Sequence, residues 1–75
     1  MVERIKPLVE CYSGARYGER PLAFFWGGKR YEIAGIQRQW RLPEGPCYRV
    51  ISQEEEKFDL IYLQYEDEWR IFPLV

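Results

Sequence analysis

The stretch Phe58-Asp59-Leu60-Ile61-Tyr62-Leu63-Gln64-Tyr65 places large apolar side chains at both odd and even positions. Successive side chains of a β-strand point to opposite faces of a sheet, so this stretch predicts a central strand that is apolar on both faces. A second aromatic stretch, residues 21–33, lies earlier in the chain and also predicts paired strands. Aromatic residues make up 17% of the 75 residues, and they offer so short a chain most of its large apolar surface.

Two glycine signals organise the middle of the chain. Gly27 and Gly28 separate two apolar segments and predict a two-residue β-hairpin turn, because both central positions of a type I′ turn have positive φ. Beyond Gly35 the apolar set moves from Tyr31 and Ile33 to Ile36, Trp40 and Leu42. A shift of this kind at a glycine indicates a bulge that bends the strand.

The remaining segments complete a β-domain. Residues 43–46 contain a Pro-Glu-Gly-Pro break, and residues 47–52 and 69–72 predict two further strands. Pro7 indicates an edge strand or an irregular lead-in, and residues 13–20 predict a loop. Together the segments predict one all-β domain over residues 1–75: a five- or six-stranded antiparallel sheet curled into a small open barrel of the SH3-like or OB-like kind.

One segment leaves an alternative open. Ser52-Gln53-Glu54-Glu55 matches a helix capping box, and residues 54–64 carry apolar side chains at a spacing that also fits a helix. The aromatic content and the short length favour a strand.

The predicted core takes residues from the inward faces of these strands. It comprises Trp26, Tyr31, Ile33, Leu60, Tyr62, Trp69 and Ile71.

The composition of the chain narrows the range of possible functions. The net charge is −1, there is no histidine, and no run reaches the roughly 18 apolar residues of a membrane span. We therefore expect a cytoplasmic protein without a membrane segment. Cys11 and Cys47 are expected to be free thiols there, and they are too few for a metal site. Without a base to activate a nucleophile, we expect no enzyme, cofactor or metal.

The charge is unevenly distributed along the chain. Residues 14–49 carry an excess of basic side chains, and residues 50–75 carry an excess of acidic ones. This polarity either steers a partner or neutralises itself between neighbouring strands.

The candidate binding residues are basic and aromatic side chains in the middle of the chain. They are Arg30, Arg38, Trp40, Arg41, Tyr48 and Arg49. Arg38 and Trp40 alternate onto one face of a strand, and arginine beside an exposed ring suits single-stranded nucleic acid. In the alternative interpretation, Trp40 and Tyr48 belong to the core and the arginines cover it with their aliphatic stems.

A family resemblance rests on the pattern Pro21-x-x-Phe24-x-Trp26-x-Gly28-x-x-Tyr31-x-Ile33, continued by Ile36 and Trp40-Arg41 and by Tyr48-Arg49-Val50, Phe58-Asp59-Leu60-x-Tyr62 and Trp69-x-Ile71. Over about residues 20–72 the chain resembles a small uncharacterised bacterial domain that occurs alone or at the C-terminus of inactive Y-family polymerase relatives. The resemblance implies a β-fold and a link to mutagenic DNA repair, and it supplies no catalytic residue. Members often carry further tryptophans after the Trp40 equivalent, where this chain has Leu42-Pro43-Glu44-Gly45.

The sequence thus favours a non-enzymatic binding module. Its expected partner is single-stranded nucleic acid or a DNA-repair assembly. The alternative is a protein–protein interaction module that acts through a sheet edge or an aromatic patch.

Overall fold

A computed structural model describes residues 9–11 and 20–74, which form six antiparallel β-strands and no helix. The strands are β1 (Val9–Cys11), β2 (Pro21–Trp26), β3 (Lys29–Leu42), β4 (Gly45–Ser52), β5 (Lys57–Leu63) and β6 (Glu68–Pro73). Neighbours in the sheet are neighbours in the chain, in the order β1-β2-β3-β4-β5-β6. The sheet curls into a half-barrel, which confirms the predicted fold class with six strands. Pro7 and residues 13–19 lie outside the described residues.

The β2–β3 hairpin confirms the glycine prediction. Gly27 and Gly28 have φ values of 60° and 80°, and Trp26 pairs directly with Lys29 across the turn. Positive φ at both central positions is the signature of a type I′ turn.

The long strand β3 contains two irregularities where the sequence predicted one. The register against β4 shifts between Ile33 and Gly35 and again between Ile36 and Arg38. Each extra residue bends the strand and increases its twist. This bending allows the first part of β3 to pair with β2 and the second part to pair with β4, so β3 joins the two halves of the curled sheet.

The segment that resembled a helix is a strand preceded by a tight turn. The Ser52 side chain does act as a cap: its Oγ accepts hydrogen bonds from the backbone N–H groups of Glu54 (3.2 Å) and Glu56 (3.1 Å). Glu55 has a φ of 69°, which a right-handed helix does not accommodate. The chain therefore turns back and enters β5 instead of continuing as a helix.

The core fills the concave side of the half-barrel. Its buried members are Val9, Phe24, Tyr48, Val50, Phe58, Leu60, Trp69 and Ile71, with Cys11, Tyr31, Ile33, Ile36 and Tyr62 partly buried against them. The Phe58 ring meets Phe24 edge-on at a centroid distance of 4.7 Å, and Phe24 stacks on Tyr31 at 5.2 Å. Edge-to-face and offset contacts of this kind are the favoured arrangements for aromatic rings.

The core prediction is wrong for one residue, Trp26. Trp26 is 39% exposed, because it is the last residue of β2 before the hairpin turn. Its ring meets that of the core residue Phe58 edge-on, with centroids 6.5 Å apart. Leu60, Trp69 and Ile71 are buried as predicted, and Tyr31, Ile33 and Tyr62 are partly buried.

Candidate binding surface

The convex side of strands β3–β6, opposite the core, is called the outer face here. Residues that pair directly across antiparallel strands share a face. Two rows of paired residues therefore cross the outer face: Arg38–Arg49–Asp59–Phe72 and Trp40–Cys47–Ile61–Arg70. The first row mixes charge with one ring, and the second is largely apolar.

Arg38, Trp40 and Arg49 form one cluster on this face, the Arg–Trp–Arg cluster. The guanidinium carbon of Arg38 lies 5.1 Å from the Trp40 ring centroid, and that of Arg49 lies 5.6 Å from it. Both distances fall within the range of cation–π attraction. Trp40 is only partly buried, so part of its side chain remains accessible from solvent.

Asp59 fixes one of the two arginines. Its two carboxylate oxygens accept hydrogen bonds from Arg49 Nε (2.8 Å) and one terminal nitrogen (3.0 Å). The two-point contact raises the pKa of Arg49 and keeps its guanidinium in one orientation. Arg38 is exposed and forms no ion pair with any residue in the described part of the chain.

Tyr48, a predicted site residue, is not on this surface. It is 4% exposed and lies in the core, where its ring centroid is 6.1 Å from that of Trp69. Tyr48 pairs with Gln39, whereas Trp40 pairs with Cys47, so the two candidate rings lie on opposite sides of the sheet. Tyr48 therefore offers no ring face to a ligand.

Arg41 and Arg30 also lie apart from the cluster. Arg41 follows Trp40, projects to the other side of β3, and hydrogen-bonds the Gln64 side chain. Arg30 lies near the β2–β3 turn, where it binds Glu10 at 2.8 Å and Glu32 at 3.0 Å. These carboxylates, one from β1 and one from β3 itself, compensate its charge.

The outer face also contains residues that the sequence argument missed. Phe72 is 48% exposed on β6, while its neighbour Ile71 is buried on the inner side. The sequence did contain a signal for an apolar outer face, because β5 is apolar on both alternating sets of side chains and Ile61 belongs to the outer set.

The charged members of the face are Arg38, Arg49, Lys57 and Arg70 against Asp59 and Glu68. The face therefore carries a small positive excess, although the whole chain is slightly negative.

The structure places the Cys47 thiol in the interior. Cys47 is buried, desolvation raises the pKa of its thiol, and the thiol lies 3.7 Å from the Gly45 carbonyl oxygen. A buried thiol with a raised pKa is a poor nucleophile. The described part of the chain contains no group of three His, Cys, Asp or Glu side chains placed to hold a metal ion.

Over residues 9–11 and 20–74, no helix is long and apolar enough to cross a membrane.

Comparison with known proteins adds no assignment. No family model matches the chain, and no curated protein or solved structure matches it either. The resemblance carried by residues 20–72 therefore stays a prediction.

Proposed function

We propose that this protein is a non-enzymatic module that binds single-stranded nucleic acid on its outer face. The observation that carries the proposal is the Arg–Trp–Arg cluster, in which two guanidinium groups flank one accessible indole ring. Proteins that bind single strands combine positive charge that follows the phosphates with aromatic rings on which bases stack. Three neighbouring side chains supply both elements here.

The cluster is arranged so that a base and a phosphate can enter together. Arg38 has an exposed side chain and no carboxylate partner among the described residues. It can swing from the ring to a phosphate and leave one face of Trp40 to a base. Arg49 stays over the ring, because Asp59 holds it.

The expected affinity is low and insensitive to sequence. Stacking on a tryptophan accepts any base, since every base has a π-face. With about two phosphate contacts, the logarithm of the binding constant should fall with the logarithm of salt concentration with a slope of about −1.4. Duplex DNA should bind more weakly, because its bases are already stacked and paired.

The test is a fluorescence-anisotropy titration of a labelled 12-nucleotide oligo(dT) and oligo(U) at low salt. We expect binding that Trp40→Ala weakens by about tenfold and that Arg38→Glu abolishes. Arg41→Glu is the matched control, because it makes the same charge change on the other side of β3. Absence of binding at about 100 μM protein, or equal losses for Arg38→Glu and Arg41→Glu, would overturn the proposal.

A second candidate, a protein-interaction module, is favoured by one different observation. Ile61 and Leu63 form a partly buried apolar centre on the outer face, and their cross-strand partners Arg70 and Glu68 are charged. An apolar centre with a polar rim is typical of protein interfaces, whose strongest contacts are enriched in tryptophan and arginine.

The salt dependence of association distinguishes the two candidate functions if the protein partner is a second copy of this chain. Association through the apolar centre should persist at about 0.5 M salt, because surface electrostatic attraction is strongly screened at that ionic strength. Sedimentation equilibrium of the wild type and of Ile61→Glu measures it. If the wild type is monomeric both at low salt and at about 0.5 M salt, it does not self-associate through this face.

A further inference from the structure

We infer that Phe72 is a second stacking platform, so that a single strand crosses the outer face from β3 to β6. This inference rests on the proposed function and specifies its ligand path and minimum length. It adds a binding residue on a different strand, at the far end of the row that begins with Arg38.

Phe72 is exposed without serving the core. Phe72 is 48% exposed, while the inner side of β6 is supplied by Trp69 and Ile71, which are buried. It pairs with Asp59, which pairs with Arg49, so the ring lies on the same face as the Arg–Trp–Arg cluster. A large exposed ring that shares a face with a partly exposed tryptophan gives the surface two places for a base.

The spacing of the two rings fits a short oligonucleotide. From β3 to β6 there are three interstrand steps of about 4.8 Å, and Trp40 is offset from the Arg38 row by two residues, or about 7 Å. The straight-line separation is then about 16 Å on a flat sheet. Stacked bases rise about 3.4 Å each, so about five nucleotides reach from one ring to the other. That length lies within the range of about 4–16 nucleotides found for small β-barrel modules.

Positive charge accompanies this path. Arg49 lies between the two rings, and its partner Asp59 is already bound by its guanidinium. Arg70 is two residues from Phe72 on the same face and is more than half exposed, with long contacts to Glu66 (3.4 Å) and Glu68 (3.5 Å). Exposed ion pairs of this length contribute little, so a phosphate can replace the carboxylates.

The experiment is an anisotropy titration with oligo(dT) of 3, 6 and 12 nucleotides against four proteins. These are the wild type, Trp40→Ala, Phe72→Ala and the control Phe25→Ala, which removes an exposed phenylalanine from β2. Wild-type affinity should rise by about tenfold between 3 and 6 nucleotides, when the strand first reaches the second ring. Phe72→Ala should remove that rise and leave the 3-nucleotide affinity unchanged, whereas Trp40→Ala should weaken all three lengths.

The outcomes separate the two claims. If Trp40→Ala weakens binding and Phe72→Ala does not, the second platform is wrong and the proposed function stands. The second platform is also wrong if Phe25→Ala weakens binding as much as Phe72→Ala. If no oligonucleotide binds the wild type, both claims fail. Should Phe72→Ala not fold by circular dichroism, Phe72→Leu replaces it, because leucine keeps apolar bulk and lacks the stacking ring.

Discussion

Trp40 and Tyr48 lie on adjacent strands and differ in almost every aspect of their surroundings. Tyr48 faces the concave side, is 4% exposed, and packs beside Trp69. Trp40 faces the convex side, is partly exposed, and has two guanidinium groups over its ring. Both are large aromatic residues, so their type does not explain the difference. The register of β3 against β4 decides which ring stabilises the fold and which is available to a ligand.

The physical cause is the second irregularity in β3. Ile36 pairs with Val50 on the inner side, and Arg38 pairs with Arg49 on the outer side, with one extra residue between them. In a regular strand Ile36, Arg38 and Trp40 would share a face, because side chains alternate with a period of two. The extra residue moves Arg38 and Trp40 together to the outer face.

The largest expected effect tests the inner side of this comparison. Trp69→Ala should lower the free energy of unfolding by about 3–5 kcal/mol, because it removes a ring that packs between Tyr48 and Tyr62. Urea denaturation followed by circular dichroism measures the change. Trp69→Phe should cost less, since Trp69 Nε1 is buried without a hydrogen-bond partner among the described residues and phenylalanine removes that donor. Unchanged stability of Trp69→Ala would show that the inner face is not the core.

The next effect concerns the register of β4 between its neighbours. A side chain at Gly45 would overlap the backbone carbonyl oxygen of Tyr62 on β5. Gly45→Ala should therefore cost about 3 kcal/mol, at the upper end of ordinary overpacking. Gly35→Ala is the control, because the nearest atom to its added carbon, on Ile51, is 3.9 Å away. Equal thermal stability of the two variants would contradict the close approach of β4 and β5.

A smaller effect tests the outer side. Trp40→Ala should cost about 1 kcal/mol, the scale of an exposed cation–π contact with limited burial. The same denaturation experiment as for Trp69→Ala gives the direct comparison. A loss as large as that of Trp69→Ala would place Trp40 in the core and remove the contrast between the two faces.

The smallest effect is a response to acid at the β1 edge. The hydrogen bond from Arg30 lowers the pKa of Glu10 below 4.5. A lowered folded-state pKa means that the contact stabilises the folded chain above about pH 4.5 and is lost as the pH falls through the folded-state value. Amide exchange of β1 should therefore accelerate between about pH 5 and pH 3, after correction for intrinsic exchange. Glu10→Gln should remove that added acceleration. If the wild type and Glu10→Gln respond identically to acid, the contact does not stabilise the β1 edge.

Particular residues show what the sequence could predict. The hairpin at Gly27 and Gly28 and the strand at residues 57–63 follow from local rules, because glycine and two-sided apolar alternation have few alternative structures. The placement of Arg38 and Trp40 on one face of β3 follows from the alternation of side chains alone and is confirmed. These features require no knowledge of distant contacts.

The remaining features depend on pairing between strands. The second irregularity, after Ile36, has no glycine to announce it, so the prediction left Trp40 and Tyr48 as joint candidates for either face. Exposure of Trp26 follows from its place beside the hairpin turn, and exposure of Phe72 follows from its register with Asp59. Register is set by the whole sheet, and a one-residue difference moves a side chain to the opposite face.

The sequential strand order also has a consequence for how fast the chain folds. Each described strand pairs with the strand that precedes or follows it, so no pairing requires the ends of a long loop to meet first. Folding can start at the Gly27–Gly28 hairpin, which forms on a timescale of about 1–10 μs, and extend strand by strand in both directions. Because rates fall as pairings become less local, this meander should fold faster than β-domains of similar size whose strands cross over.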